Sequence, residues 1–202
     1  MANANKPSGL VPVQYLNGAP WNQGGRVYCI PSTSNEAFAI GDPVVVAGSA
    51  DSLGVPTIAL ATAGTGNQVL GCIVSGAGAP GYGQQYGVPA ESPIVIPATK
   101  ARNYYVLVAD DPNIVFEIQE DNDGGDLAAV DTGLNCNLIS GTNNGYISGW
   151  QLDSSSKTTT ATLQVKLLGL AQYPGGLNAF GTDAKWWVII NNHCFRVGQA
   201  GL

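Results

Sequence analysis

Carboxylates are the side chains of this sequence that come closest to forming a reactive or metal-binding group. Eight of the fourteen lie between residues 110 and 131, and most flank the strand-like stretch ADDPNIVFEIQED, residues 109–121. Two carboxylates held apart can act as the acid and base of a glycosidase, and a denser cluster can bind calcium. Asp and Asn also form turns by capping backbone amides, as DDPN would here. We favour this last interpretation, in which the acids end a β-hairpin and face water.

The stretch EDNDGGD, residues 120–126, resembles a calcium-binding loop only in composition. The EF-hand template requires an oxygen ligand at its fifth position and a glutamate at its twelfth. Counted from Asp121, these positions hold Gly125 and Thr132, and the flanking sequence is not helical. We therefore predict no metal and no cofactor. An irregular calcium site within residues 110–131 is the alternative, because oxygen ligands are dense there.

The sequence lacks the clustered histidines and cysteines that nucleophilic catalysis or zinc binding would need. His193 is the only histidine, and its neighbour Cys194 would point to the opposite face of a strand. The other cysteines, Cys29, Cys72 and Cys136, are far apart, and no CxxC pair is present. A zinc site needs about four clustered ligands. We predict a structural histidine, four reduced and mostly buried thiols, no catalytic residues and no enzymatic activity.

The composition excludes several other classes of protein. Charged residues make up 11% of the chain, the net charge is −6, and residues 103–156 contain no Lys or Arg. Nucleic-acid binding is therefore disfavoured. No apolar run approaches the length of about 18 residues that a membrane span needs. The N-terminal sequence MANANKPSGLVPVQ lacks the layout of a signal peptide, so we expect folding in a cytoplasm.

Short apolar segments separated by turn residues predict a single all-β domain over residues 26–202. In the segment at 113–119, Ile114, Phe116 and Ile118 are expected to face inward and the residues between them outward. The predicted strands are RVYCI (26–30), GDPVVVAG (41–48), VPTIALA (55–61), QVLGCIVSG (68–76), IVIPA (94–98), NYYVLVA (103–109), NIVFEIQ (113–119) and ATLQVKLLGLAQ (161–172). The stretch KWWVIINNHCFRV (185–197) is predicted to be one long strand or a hairpin around Asn191-Asn192.

The connections between these strands carry their own signals. Two long loops are predicted, at 76–93 and 173–184, and DSSSKTTT (153–160) is predicted to be a polar loop. Asn144-Gly145 predicts a hairpin that joins Leu138-Ile139 to Tyr146-Ile147. A single helical turn, capped by Asp126, fits within 124–135.

Residues 1–25 have little periodicity and three prolines, which predicts an extended N-terminal arm. The arm is too apolar to be a free tail, so we expect it to lie against another surface. That surface is either a partner or the arm's own domain. The candidate contact residues are Leu10, Val11, Val13, Tyr15, Leu16 and Trp21.

An ordered series of phrases in the first half of the chain is similar to a known family. The phrases are VPVQYLNGAPWN, RVYCIPS, GDPVVVAGSADSLGVPTIALA, VLGCIVSG and YYVLVADDPNIVFEIQED, with a weaker return at WWVIINNHCFR. Across Pro7 to Asp121 the chain resembles the capsid decoration, or cement, proteins of tailed bacteriophages. No single motif is diagnostic, and the order of the phrases carries the resemblance.

The resemblance implies a non-enzymatic virion protein made in the cytoplasm of a bacterial host. It also implies that the all-β domain has a β-sandwich or jelly-roll-like core. Its partners would be the major capsid protein and sister subunits in a homo-oligomer, a dimer or a trimer. Two alternatives remain open. One is a tail or baseplate protein of the same virion. The other is a carbohydrate-binding or hydrolytic β-domain that uses the acids with Trp150, Trp186 and Trp187, although core and interface packing explains tryptophans more simply.

Overall fold

The computed structural model describes residues 3–76, 96–123 and 125–196, and its regular structure there is almost entirely β, as the sequence predicts. Two sheets pack together in a sandwich-like arrangement. The eleven strands described are β1 (Val11–Tyr15), β2 (Arg26–Ile30), β3 (Pro43–Ala50), β4 (Pro56–Leu60), β5 (Gly71–Gly76), β6 (Tyr104–Ala109), β7 (Ile114–Gln119), β8 (Asn135–Ile139), β9 (Gln151–Thr158), β10 (Val165–Leu170) and β11 (Lys185–Ile190).

One sheet closes into a five-stranded barrel in the order β2-β4-β3-β5-β6. Alternation along its strands divides apolar side chains between two clusters. On β6, Val106 and Val108 belong to one buried cluster, and Tyr105 and Leu107 belong to another. Closure pairs the first and last strands of the barrel, so none of its strands is left as a free edge.

The other sheet has six strands in the order β1-β7-β11-β10-β8-β9. Its inner face contributes Phe116 and Trp186 to the largest core cluster, which also includes Val69 and Cys72 from the barrel side. The two sheets therefore share one core. The predicted inward set on β7 is buried, but Val115 and Gln119, expected to face outward, are buried as well, because that face is also covered.

The N-terminal segment lies on its own domain, and it does not stay extended as predicted, because a tight turn after Tyr15 brings Pro20 and Trp21 back onto β1. Its strand β1 pairs antiparallel with β7 and forms one edge of the six-stranded sheet. Pro12 is tolerated there because an edge strand does not need every backbone donor. Leu10 N–H donates to the carbonyl of Gly41, whose φ of +91° and contact with the Ser8 carbonyl leave no room for a side chain.

Two of the predicted connections differ from the structure. Residues 153–160 do not form a polar loop, because most of them belong to strand β9 at the other edge of the six-stranded sheet. The turn at Asn144-Gly145 lies within a longer connection, and β8 pairs with β9 instead of with Tyr146-Ile147. The side chain of Asn144 accepts hydrogen bonds from the backbone of both these residues, which closes a tight local turn.

The helical turn is present, but its cap was assigned to the wrong residue. A 3-10 turn spans Ala129–Asp131, and Asp131 accepts a hydrogen bond from the backbone N–H of Ala128. Asp126 instead accepts one from Thr182. The loop at 173–184 lies between β10 and β11, as predicted.

The predicted loop at 76–93 falls outside the described residues except for Gly76. Residues 94 and 95 of the predicted strand at 94–98 are also outside them, and Ile96 forms an isolated bridge with Phe38. In the part of the chain that is described, no helix has the length and apolar character needed to cross a bilayer.

Candidate functional site

The six candidate contact residues of the N-terminal segment divide by exposure. Leu10 is only 1% exposed and packs in the core, so it is removed from the surface that a partner could contact. Tyr15 and Trp21 are partly buried against the same core, and Val13 is half-buried. Val11 and Leu16 are the exposed members, at 38% and 51%. A partner could reach these two without any rearrangement of the fold.

An apolar cleft opens where the N-terminal segment crosses the barrel. Its volume is about 480 Å³, and we call it the N-terminal cleft. One wall comes from the N-terminal segment, and the opposite wall comes from β5 and β6. The cleft is lined by Ser8, Leu10, Val11, Pro12, Trp21, Gln23, Ile40, Gly41, Ile73, Val74, Ser75, Leu107 and Ile147.

Ile147 brings a second segment to this cleft. It is 42% exposed, and its neighbour Tyr146 is 65% exposed. A parallel bridge to Ile40 fixes Ile147 beside the N-terminal segment. The sequence predicts a strand at Tyr146-Ile147, and neither residue is among the six candidate contact residues. The signal that was available is an apolar pair placed directly after an Asn-Gly turn.

The loop at 173–184 exposes a further apolar surface. Tyr173, Leu177 and Phe180 all have substantial exposed area. The loop is nevertheless held firmly, because the Asn178 side chain donates to the carbonyls of Ala171 and Lys185, each at 2.8 Å. Asn3 also donates to the carbonyl of Ala179 at 2.8 Å and accepts from its N–H. A fixed apolar loop can contact a partner with little loss of conformational entropy.

Several of the clustered acids are buried instead of facing water, which corrects the favoured interpretation. Asp110 is nearly inaccessible, and one of its oxygens accepts hydrogen bonds from Arg26 Nε and Tyr28 Oη, each at 2.6 Å. Asp111 is exposed and caps the turn through Asn113 N–H, as predicted. Of the two residues Asp110 and Asp111, only Asp111 is therefore a solvated turn residue.

The next acids along the chain are also engaged. Glu117 pairs with Lys185 at 3.2 Å, and Asp131 pairs with Lys157 at 3.1 Å. Glu120 is fully buried and accepts a hydrogen bond from Leu127 N–H. Its burial raises the pKa of the carboxyl to about 7. Through these contacts Glu117, Glu120 and Asp131 join neighbouring elements of the fold.

Among the described residues, one group of acids has no ion-pair partner. One carboxylate oxygen each from Asp121, Asp123 and Asp153 lies within 4.8 Å of the other two. Asp121 is buried, Asp153 is half-buried and Asp123 is exposed. Burial raises the pKa of Asp121; hydrogen bonds from Ser154 oppose this effect, and the charges of Asp123 and Asp153 add to it. Asp153 lies in the segment predicted to be a loop, so the sequence did not connect it with this group.

His193 is placed as a structural residue. It is fully buried, and its Nδ1 accepts a hydrogen bond from Phe195 N–H at 2.9 Å. Burial is the main cause that lowers its pKa to about 4, so the ring is neutral. Cys29, Cys72 and Cys136 are buried free thiols and Cys194 is half-buried, in agreement with the sequence.

The tryptophans proposed for sugar binding are largely inaccessible. Trp150 and Trp186 belong to the core shared by the two sheets, and the Trp186 ring packs against Phe180 with centroids 5.7 Å apart. Trp187 is half-buried on the other face of β11. The packing interpretation of Trp150 and Trp186 is therefore correct.

Comparisons with models of protein families, with curated proteins and with solved structures find no match to this chain. No activity or partner is therefore carried over from a relative. The described geometry defines an all-β domain with an apolar cleft, an exposed and fixed loop, and an unneutralised acidic group.

Proposed function

We propose that this protein is a structural component of a bacteriophage virion that binds the outer surface of the head. It contacts the major capsid protein, associates with sister subunits as a homo-oligomer, and cements neighbouring capsomers against the outward pressure of packaged DNA. The sequence resemblance over Pro7 to Asp121 supports this role. A tail or baseplate position is the second candidate, because the same resemblance concerns virion proteins.

The observation that carries the proposal is the apolar surface around the N-terminal cleft. Exposed Val11 and Ile147 flank the cleft, and exposed Leu16 follows on the same N-terminal segment. The scaffold behind them is a closed barrel packed on a sheet, so the surface is held rigidly. A rigid apolar surface on a protein with 11% charged residues suits docking on a large, flat partner.

Repetition explains how modest contacts hold a shell together. A specific protein interface buries roughly 1,600 Å². A protein that spans two capsomers adds interfaces of this size, and they must be broken before the capsomers can separate. When subunits are linked in an oligomer, binding of one raises the effective concentration of the next. The protein then needs breadth and stiffness, and it does not need a catalytic cleft.

The carbohydrate-binding alternative is weakened by where its residues lie. Asp110 is buried under Arg26 and Tyr28, and Trp150 and Trp186 are core residues. A sugar ring stacks on an exposed aromatic face, and these two faces are covered.

The test is cosedimentation of the purified protein with undecorated, DNA-filled heads of the phage that encodes it. We expect binding that saturates at a fixed ratio to the major capsid protein. Binding to isolated tails in place of heads would move the protein to the second candidate role. Absence of binding to either particle would refute the proposal as a whole.

Variants connect that assay to the surface described here. We expect Leu16→Ser combined with Ile147→Ser to weaken head binding by about tenfold or more, because each removes buried apolar area at the interface. Deletion of the segment is a poorer test, since Leu10 belongs to the core. The matched control is Leu53→Ser, which changes an exposed leucine outside the cleft. Equal loss in variant and control would place the contact elsewhere.

A further inference from the structure

The six-stranded sheet curls until its edge strand β9 meets the end of β7. Glu120 and Leu152 form an isolated parallel bridge, and Asp121 N–H donates to the Leu152 carbonyl at 2.9 Å. These few backbone contacts form a seam between the edge strand β9 and the residues that follow β7, the second strand from the opposite edge. Asp121 and Asp123 lie on one side of the seam, and Asp153 lies on the other.

Within the described residues, the Oδ2 oxygen of Asp121 at this seam is buried without a donor. Asp121 is only 6% exposed, and its Oδ1 accepts from both the backbone and the hydroxyl of Ser154. Its Oδ2 is buried and, within the described residues, has no hydrogen-bond partner. A buried carboxylate oxygen without a partner destabilises the fold, because its hydrogen bonds to water are lost and no hydrogen bond within the protein replaces them.

The neighbouring oxygens carry the same charge. The Oδ1 of Asp153 is occupied by the backbone N–H groups of Ser155 and Ser156, so its Oδ2 is the oxygen left for another ligand. Asp123 is exposed and can turn both oxygens toward the group. In the described part of the chain the ion pairs involve other carboxylates, namely Asp110, Glu117 and Asp131.

We propose that Asp121, Asp123 and Asp153 bind one calcium ion that fastens the seam between β7 and β9. Calcium accepts irregular sets of oxygen ligands, with six to eight in total, whereas magnesium demands a near-ideal octahedron. The three carboxylates more than offset the two charges of the ion, and water completes its shell. With only three protein ligands, the affinity falls in the weak range of roughly 10⁻⁴–10⁻³ M.

This site is distinct from the EF-hand template that the sequence fails to match. The proposed site and the EF-hand template share only Asp121 and Asp123. The third ligand, Asp153, comes from β9, which is distant in sequence. The acids on the two sides of the seam approach each other only when the sheet curls. Calcium therefore binds the folded protein and not the unfolded chain, and by mass action it stabilises the fold.

The experiment is thermal unfolding of the full chain at pH 7 after treatment with a chelator, with CaCl₂ or MgCl₂ added at matched ionic strength. We expect about 10 mM calcium to raise Tm by about 3–5 °C and magnesium to raise it less. Isothermal titration should give one calcium per chain. No specific rise with calcium would overturn the proposal.

Two variants locate the effect. Asp123→Asn removes a ligand at an exposed position that makes no packing contribution, and it should abolish most of the calcium-dependent rise. Asp111→Asn removes the same charge from another exposed aspartate, keeps the oxygen that caps Asn113, and should leave the rise unchanged. If Asp123→Asn keeps the full rise, the ion binds elsewhere and the assignment fails.

Discussion

The Asp110 carboxylate is the hydrogen-bond acceptor for both the Arg26 guanidinium and the buried Tyr28 hydroxyl. One of its oxygens accepts from Arg26 and from Tyr28, and the Arg26 side chain itself is largely exposed. Burial is the main cause that raises the pKa of Tyr28, and the hydrogen bond to Asp110 raises it further. The phenol therefore stays protonated. The pair joins the start of β2 to the end of β6, where the barrel closes.

We expect Asp110→Ala to lower the free energy of unfolding by roughly 1–3 kcal/mol, because the Tyr28 hydroxyl is left buried without an acceptor. Urea denaturation measures the change. Adding Tyr28→Phe should recover part of the loss, since both partners are then removed. The control Asp111→Asn should stay within about 0.5 kcal/mol of the unchanged protein. A full loss without any recovery in the double variant would contradict the assigned hydrogen bond.

His193 predicts a dependence of stability on pH. Its pKa is lowered from 6.5 to about 4 in the folded protein, chiefly by burial. Between these values the unfolded chain binds a proton that the folded protein does not. The contribution is therefore complete above pH 6.5 and is lost as the pH falls toward 4. Its size is at most about 3.5 kcal/mol, at about 1.4 kcal/mol for each unit of pKa.

The variant His193→Asn tests this origin, because its amide oxygen can still accept from Phe195 N–H while the titrating ring is gone. We expect the free energy of unfolding of the variant to fall less than that of the unchanged protein between pH 6.5 and 4. Chemical denaturation at a series of pH values provides the comparison. Parallel curves would mean that carboxylates, and not His193, set the acid limb.

At the scale of elements, the side chain of Asn178 ties together the two ends of the loop at 173–184. Asn178 bonds Ala171 and Lys185, at the two ends where the loop leaves the sheet. We expect Asn178→Ala to cost roughly 1–3 kcal/mol in the free energy of unfolding and to speed proteolysis within the loop. Leu177→Ala, at the exposed neighbour, is the control and should change neither quantity. Unchanged proteolysis in Asn178→Ala would show that the loop is held by other contacts.

Strand prediction succeeded where the sequence signal is local. The apolar alternation of β6 and β7 and the Asp-Pro turn between them are contained in sixteen neighbouring residues, 104–119. Strand β9 was missed because QLDSSSKT has the composition of a loop. Only its pairing with β8 and the burial of Leu152 and Ser154 make it a strand. Edge strands with polar composition carry a weak signal for this reason.

The acidic residues show the same limit for the candidate site. Their turn-forming role was predicted correctly at Asp111, where the cap is two residues away. The burial of Asp110 depends on Arg26 and Tyr28, and the group with Asp121 depends on Asp153. Both involve strands distant in sequence, so no local pattern encodes them. The apolar pair Tyr146-Ile147 was visible, but its position beside Ile40 was not.

At the scale of the whole molecule, the shared core predicts that both sheets unfold together. Trp150, Trp186 and Trp187 lie in or beside the six-stranded sheet and Trp21 packs against its core, whereas Ile58 lies in the barrel core. We expect Ile58→Ala to cost about 2–5 kcal/mol and to shift the tryptophan fluorescence transition as far as the circular dichroism transition. A shift in circular dichroism alone would mean that the barrel unfolds separately.

The order of strands in the six-stranded sheet also governs when the chain can fold. The strand β11, the last described along the chain, lies between β7 and β10, near the middle of the sheet. During synthesis the sheet therefore has a gap at its centre until residue 190 has left the ribosome. Pairings this distant in sequence form slowly, since long loops must close first. The six-stranded sheet therefore cannot be completed before β11 is available, and a product that stops short of β11 is exposed to degradation.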